Sequence, residues 1–416
     1  MREMKDSGIS WVGEIPKEWT IMPLYCFYSE RKNKNIFGAE NNLLSLSYGK
    51  VIRKDINTSE GLLPSNYNGY NIVEAGDIII RPTDLQNDKR SLRTGLSKER
   101  GIITSAYIAL KPKNGINSRF YHYLLHTYDI LKVFYNMGNG VRQGLNYDEF
   151  AKLMVYSPSD TEQQRIAEFL DRACGKIDGL KADIQAQIDT LEQYKRSVIT
   201  EAVTHGLNPS APMKECSVSW ARQIPQHWKV MPNKYLMTKI KNICPIYKVE
   251  DILSLTMYGV IVRDLDAGGK MPSSFDGYQY IKKGNLLMCL FDIDVTPRCI
   301  GIIKQNGITS PAYSQFKMKK IANARFYYYY YLMLDYTKEL LHLAKNLRHS
   351  LTEDQLGAIK QLVPPLDEQQ EIADYLDNKC AEIEQIIADK KSQIETLDGY
   401  KKSLIYEYVT GKRECV

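Results

Sequence analysis

Apolar side chains recur at positions 166, 170, 173, 177, 180, 184, 188, 191, 194 and 198. The steps run 4-3-4-3-4-4-3-3-4, a heptad seam with one irregular step near Ile184–Ile188. This pattern predicts one long helix, opened by Thr161 as N-cap with Gln164 completing a capping box and stopped at Gly206. At 1.5 Å per residue it would be roughly 65 Å long. The same stretch returns later in the chain. Residues 162–204 and 368–410 align without a gap and are identical at 22 of 43 positions. Asp367 and Gln370 take the capping places, Gly411 the stop, and Lys390 replaces Ile184 on the seam. A narrow seam on so long a helix needs a partner helix, and the other copy is the obvious one. Gly175 and Gly179 inside the first copy each cost about 1 kcal/mol relative to Ala.

The repeat extends beyond the helices. Ser10-Trp11, Ile15-Pro16 and Trp19 return as Ser219-Trp220, Ile224-Pro225 and Trp228, with the indoles expected in the core. Leu44 to Ile52 and Leu253 to Ile261 each read as strand, glycine turn, strand. Gly76-Asp77 and Gly284-Asn285 are turns leading into the apolar strands Ile78-Ile79-Ile80 and Leu286-Leu287-Met288. Arg119-Phe120-Tyr121 and Arg325-Phe326-Tyr327 start aromatic-rich helices. The fold class expected is α+β: two similar globular α/β domains joined by two long helices packed as an antiparallel coiled coil, with pseudo-twofold symmetry. The boundaries expected are 1–157, 158–206, 207–363 and 364–416, globular and helical in alternation.

Composition narrows the class. A hydrophobic content of 44% and a charged content of 25% suit a soluble protein, and no apolar run is long enough to span a bilayer. The first residues are polar and charged, without a signal-peptide core. Eight cysteines lie scattered without C-x-x-C pairs, which points to free thiols in the cytoplasm and away from zinc. A net charge of +6 permits nucleic-acid binding without requiring it.

No phosphate loop, zincin motif, nucleophile elbow or Asn-Pro-Pro-aromatic tetrad is present, and the six histidines do not cluster with Asp or Cys at ligand spacing. Candidate contacts lie in loops instead. Residues 77–101 carry Arg81, Lys89, Arg90, Arg93, Lys98 and Arg100 against Asp77, Asp84, Asp88 and Glu99, with Gln86 among them. The matching stretch holds Asp292, Asp294 and Arg298. A shared frame with dissimilar loops is how one fold reads two ligands. Such side chains pair with base edges and phosphates, although a solvated charged loop has the same composition. Arg142-Gln143 and Arg348-His349 precede the long helices, where they could equally cap helix ends. Tyr48, Lys50, Arg53, Lys54, Tyr258 and Arg263 flank the glycine turns and complete the candidate DNA-binding set.

The chain resembles the specificity subunits of type I restriction–modification systems. The resemblance rests on Trp11-Val12-Gly13-Glu14-Ile15-Pro16 with Trp19, the Tyr48-Gly49 turn, and Glu162-Gln163-Gln164-Arg165-Ile166-Ala167 with Leu170-Asp171, each recurring in the second half. The second copy departs at Ala221-Arg222-Gln223. The resemblance implies two target-recognition domains, each reading one half of a bipartite double-stranded DNA sequence, held by conserved spacer helices. It implies two modification subunits carrying S-adenosylmethionine and the adenine methyltransferase chemistry, and motor-nuclease subunits using ATP and Mg. The chain itself would be non-catalytic, with no cofactor or metal of its own and no membrane partner. Two other classes stay open at this point: an enzyme with an unrecognised nuclease or methyltransferase site, and a non-DNA scaffold spacing two binding modules.

Overall fold

Three consecutive isoleucines, Ile78-Ile79-Ile80, are fully buried. Period-2 alternation sends neighbours to opposite sheet faces, so such a run needs cover on both. In the computed structural model, which describes residues 2–57, 66–83, 85, 91–137, 144–266, 272–296, 298–344 and 349–415, the two covers are distinct. Ile78 and Ile80 join the main core with the helix α1 (Ser118–Ile130). Ile79 joins Leu44, Leu46, Val73, Ile103 and Ala109 under a hairpin.

The chain divides into two compact units, Met1–Ile184 with Ser392–Val416, and Gln185–Lys391. The first unit has a four-stranded antiparallel sheet. Its strands are β1 (Tyr28–Glu30), β4 (Ile78–Ile80), β5 (Thr94–Leu96) and β6 (Ile108–Pro112), in the order β1-β6-β4-β5. The hairpin strands β2 (Leu44–Ser47) and β3 (Lys50–Arg53) pair Leu44 with Arg53 and Ser47 with Lys50. A long helix, α2 (Asp160–His205), follows.

The second unit repeats the plan. Strands β7 (Met237–Ile240), β10 (Leu286–Met288), β11 (Ile300–Ile302) and β12 (Ser314–Met318) run in the order β7-β12-β10-β11. The hairpin is β8 (Leu253–Thr256) with β9 (Gly259–Val262), the sheet helix α3 (Ala324–Tyr336), and the second long helix α4 (Leu366–Val409). Leu286 and Met288 face the main core, and Leu287 lies under the hairpin with Leu253 and Val260.

Glycines let each hairpin lie close to its sheet. A Cβ on Gly95 would stand 2.5 Å from Leu46 Cδ1, and one on Gly301 2.7 Å from Val260 Cγ2. Gly307 is tighter still, its added Cβ falling 2.2 Å from Leu253 Cδ1 and 2.4 Å from the Asp251 carbonyl oxygen.

The repeated Glu-Gln-Gln opens each long helix and anchors it. In the first unit Glu162 accepts the indole N–H of buried Trp19 at 3.0 Å and the Arg2 guanidinium at 2.6 and 2.9 Å. The amide of Gln163 donates to the Pro158 carbonyl at 3.0 Å, and Gln164 accepts from Asn117, the N-cap of α1, at 2.8 Å. Two turns on, Asp171 receives Arg119 and the Tyr123 hydroxyl, each at 2.9 Å. The second unit repeats all but the arginine contact: Trp228 to Glu368 at 3.0 Å, Gln369 to Pro364 at 2.9 Å, Asn323 to Gln370 at 2.6 Å, and Arg325 and Tyr329 to Asp377 at 2.6 and 2.8 Å, with His227 Nε2 2.7 Å from Glu368 where the first unit has Arg2. The capping-box expectation is corrected here. The helices begin at Asp160 and Leu366, so Thr161 and Asp367 lie inside the first turn, and Gln164 and Gln370 fasten the sheet helix instead.

The seam also differs from its sequence reading. Between residues 179 and 197 the positions of α2 that are not exposed are 181, 184, 188, 191 and 195, an unbroken 3-4 alternation that continues the buried 170, 174 and 177. Leu180 and Tyr194 point outward, 53% and 49% exposed, and Lys181 and Lys195 take their places. A lysine buries its aliphatic stem and keeps its charge at the rim. In the first unit Lys401 reaches Asp178 at 2.6 Å and Lys181 pairs with Asp398. In the second, Lys390 reaches Gln187 at 2.5 Å and Lys195 pairs with Glu384. Within each unit the partner numbers fall as the α2 numbers rise, so the segments run antiparallel. Gly175 and Gly179 face open space.

Gly307→Ala is expected to destabilise the chain by about 1–3 kcal/mol, because backbone as well as a side chain must move to admit the methyl. Gly357→Ala, in the short helix Glu353–Ala358 with only ordinary contact at 3.6 Å, should be neutral or slightly stabilising. Urea unfolding of the two variants measures both. A neutral Gly307→Ala would show that the hairpin is not packed this tightly.

The first unit should also be acid-sensitive. His122 and His126 are half-buried on α1 with rings 6.0 Å apart, and neither His122 Nε2 nor His126 Nδ1 has a partner among the described residues. Burial holds their pKa values down to about 3 and about 4, with His126 and Lys98 adding to the effect on His122 and Lys401 and Lys402 to that on His126. The folded values lie below the unfolded value near 6.5, so this stability is present above that pH and is lost as pH falls toward 4. The linkage slope should approach about 2.7 kcal/mol per pH unit for two protons. The second unit has Tyr328 and Leu332 at the matching places. Replacing His122 with Tyr and His126 with Leu should flatten the acid limb of the urea midpoint. An unchanged limb would show that other groups govern it.

Candidate nucleic-acid interface

Each hairpin ends in an exposed aromatic tip, and the two tips are built differently. In the first unit the central residues are Tyr48 and Gly49, with φ of +46° and +78°. Two positive φ values between paired strands are what a type I′ turn requires. Tyr48 is 85% exposed, and Gly49 rests on Leu92 and the His126 ring, with an added Cβ 3.0 Å from Leu92 Cδ1. In the second unit the loop residues are Met257 and Tyr258, and the positive φ, +97°, falls on Gly259. That is the pattern of a type I turn closed by a glycine bulge. The Tyr258 N–H is taken by Thr256 Oγ1 at 3.2 Å, and that hydroxyl donates to the Gly259 carbonyl at 3.1 Å. Tyr48 and Tyr258 therefore hold successive turn positions, one residue out of step. Their equivalence as read from the Tyr-Gly pair is corrected by the strand register.

Other candidate contacts surround these tips. Exposed Lys50 lies 3.9 Å from Asp178. Arg53 donates to Glu99 at 2.7 and 2.8 Å, which raises the guanidinium and lowers the carboxyl from their usual values. Its charge is thus balanced across an exposed pair, an interaction of little stabilising value. The Lys54 side chain is exposed, and its backbone N–H closes the hairpin to the Leu43 carbonyl at 2.8 Å. Arg81 and Arg263 are half-buried, their backbone N–H groups bonded to Arg93 and Ile252. Asp292 is exposed in the left-handed region at φ +47°, its carbonyl accepting from Thr296, and Asp294 stands 3.9 Å from His349.

Two assignments are corrected. Arg93 is fully buried. Its guanidinium donates to the Thr83 carbonyl at 2.7 Å and lies over the Tyr135 ring, while its backbone N–H is received by buried Asp129. It is a core cation, not a surface contact. Arg298 is half-buried, with its guanidinium engaged by the Met257 carbonyl, the Ile300 carbonyl and the Tyr328 hydroxyl, so it supports the tip from behind. Asp84, Gln86, Lys89, Arg90, Arg142, Gln143 and Arg348 lie outside the described residues.

Leu92, Thr256 and Tyr328 support the tips and were not singled out in the sequence. Thr256 had a signal, a hydroxyl two residues before an exposed turn residue. Leu92 and Tyr328 had none, because only the folded chain brings them beneath a turn. Among the described residues no group of three His, Cys, Asp or Glu side chains could hold a metal, and no helix is long and apolar enough to cross a membrane.

Comparison with known proteins agrees with this architecture. A family profile described as the type I restriction modification DNA specificity domain matches residues 30–190 and 300–396, more than half of the chain. A Methanocaldococcus jannaschii protein named for the type I restriction enzyme MjaX specificity subunit is 22% identical over 432 aligned positions, spanning 96% of this chain and 95% of the relative. A chain from a structure described as the basis of complex assembly and conformational transition of the type I R-M system superposes with a TM-score of 0.69 at 11% identity. That match covers 96% of this chain and 99% of the other, and it shows a shared fold. The HsdS subunit from Thermoanaerobacter tengcongensis gives a TM-score of 0.47 at 12% identity over 96% of this chain and 98% of its own. The chain belongs to the type I restriction–modification DNA specificity family.

Proposed function

We propose that the chain is the specificity subunit of a type I restriction–modification complex and reads a bipartite duplex DNA target, one half-site per unit. The observation that carries this reading is a duplicated frame with unlike tips. The indole, glutamine and aspartate anchors of the long helix are repeated, while the hairpins present Tyr48-Gly49 in one unit and Met257-Tyr258 in the other. Selection for two different half-sites acts on such surfaces and leaves the frame alone. In this reading residues 1–157 and 207–363 are the target-recognition domains, and residues 158–206 and 364–416 are spacers forming an antiparallel coiled coil about a pseudo-twofold axis. Tyr48, Lys50, Lys54 and Tyr258, with the loop residues Arg81, Asp84, Gln86, Lys89, Arg90, Arg263, Asp292, Asp294 and His349, form the contact surface. Arg142 with Gln143, and Arg348, serve phosphates near the starts of the spacers. The chain has no turnover of its own. Two modification subunits supply S-adenosylmethionine and adenine methylation, and motor-nuclease subunits supply ATP- and Mg-dependent cleavage.

Exchanging the hairpin Leu44–Arg53 for that of a related protein should alter one selected half-site and leave the other intact. Selection of bound sequences from a random duplex library by the full chain measures this. A change in both half-sites would defeat the modular reading. Binding that ignores sequence and salt would instead favour a scaffold without a DNA role.

The spacers should set the gap between half-sites. Because ion pairs bind α2 segments to α4 segments within both units, an insertion in one helix alone breaks their register. Matched seven-residue insertions after Gln187 and after Asp389 keep both seams in phase and add about 10 Å of helix. The recognised gap should widen by about three base pairs at roughly 3.4 Å each. Methylation at the original gap by an active double insertion would show that the helices join the domains without measuring distance.

A further inference from the structure

The second hairpin tip is tied down by one side chain. Arg298 stands just before β11. Its Nε donates to the Ile300 carbonyl at 3.1 Å, its Nη1 to the Met257 carbonyl at 3.0 Å, and its Nη2 to the Tyr328 hydroxyl on α3. The guanidinium also lies over the Tyr328 ring, 5.6 Å from its centre. A single planar fork thus joins a sheet strand, the loop and the covering helix. Gly259 sits above it, where an added Cβ would be 3.9 Å from Nη1. Arginine suits this place because its donors are fixed in one plane, and a lysine ammonium could not span the three acceptors.

Among the described residues the first unit shows no such tie. Leu92 lies beneath its turn, which carries positive φ at both central residues. The second turn has its left-handed residue outside the two-residue loop, and its loop carries two large exposed side chains, Met257 at 61% and Tyr258 at 77%. Ordering such a loop at the moment of binding would cost affinity, and bracing it beforehand avoids that cost.

We propose that Arg298 is the positioning residue of the second recognition unit, holding Met257-Tyr258 in a preformed arrangement for its half-site without touching DNA itself. This rests on the reading in which the hairpin tip meets DNA. The guanidinium's role separates it from the two roles an arginine usually has at a DNA surface. A phosphate contact would add to the salt slope, and a base contact would act at one position of the target.

The test uses the full chain as wild type, Arg298→Ala and Arg298→Lys, with two readouts. The first is hydrogen exchange at the amides of residues 256–260 without DNA. Arg298→Ala should speed exchange about tenfold or more, because hydrogen bonds to a charged donor are lost, and Arg298→Lys should fall between. The second is selection from a random duplex library. Arg298→Ala should weaken preference across all positions of one half-site, leave the other half-site unchanged, and keep the salt slope of the wild type. Unchanged exchange in Arg298→Ala would overturn the proposal. So would a salt slope smaller by about one, which marks a phosphate contact, or a loss confined to one base position, which marks direct reading. If the wild type selects no bipartite sequence, the DNA reading itself fails and takes the DNA role of this residue with it, whatever the exchange shows.

Discussion

A buried indole N–H must find an acceptor, and in each unit the acceptor is the carboxylate that opens the long helix. Leaving such a donor unpaired costs about 1–3 kcal/mol. Trp19 also stacks on Tyr156 at 5.6 Å, so the same ring that takes part in the core fixes where α2 begins. Gln163 then holds the incoming chain at Pro158, and Gln164 and Asp171 hold α1. Core, sheet helix and long helix are therefore positioned by one run of polar contacts. The helix is not a rod attached to a finished domain. Its first turns are part of what completes the domain, which is why the Glu-Gln-Gln recurs where loops do not.

From that anchor the rest follows outward. The sheet helix covers one face of the apolar strand, the hairpin covers the other, and Gly95 and Gly301 set how closely the hairpin lies. The hairpin's far end escapes these constraints, and the units diverge there. One tip rests on a leucine and a histidine, the other on an arginine and a tyrosine. A shared frame specified by the same buried contacts, with tips held by different side chains, is a division that allows a target to change without refolding.

Much of this was legible in the sequence because it repeats. The long helices, the Gly turns leading into apolar strands and the aromatic helices after Arg119 and Arg325 all lie where the duplicated pattern put them. What was not legible depended on side chains behaving against their class. Lys181 and Lys195 take seam positions through their aliphatic stems, so a search for apolar spacing lands on their neighbours Leu180 and Tyr194 and finds a false irregularity. Arg93 and Arg298 look like surface cations until tertiary structure supplies carbonyl acceptors from distant segments. The one-residue offset between Tyr48 and Tyr258 was hidden because a Tyr-Gly pair names residues, whereas the strand register decides the turn.

On the proposed function, two similarly framed units read two unlike half-sites at a fixed separation. Mapping methylated adenines in a host that carries this chain with its modification subunit tests it most directly. The expected result is a bipartite motif, two specified segments of different sequence separated by a constant number of unspecified base pairs. A single contiguous motif, or methylation without sequence preference, would contradict it.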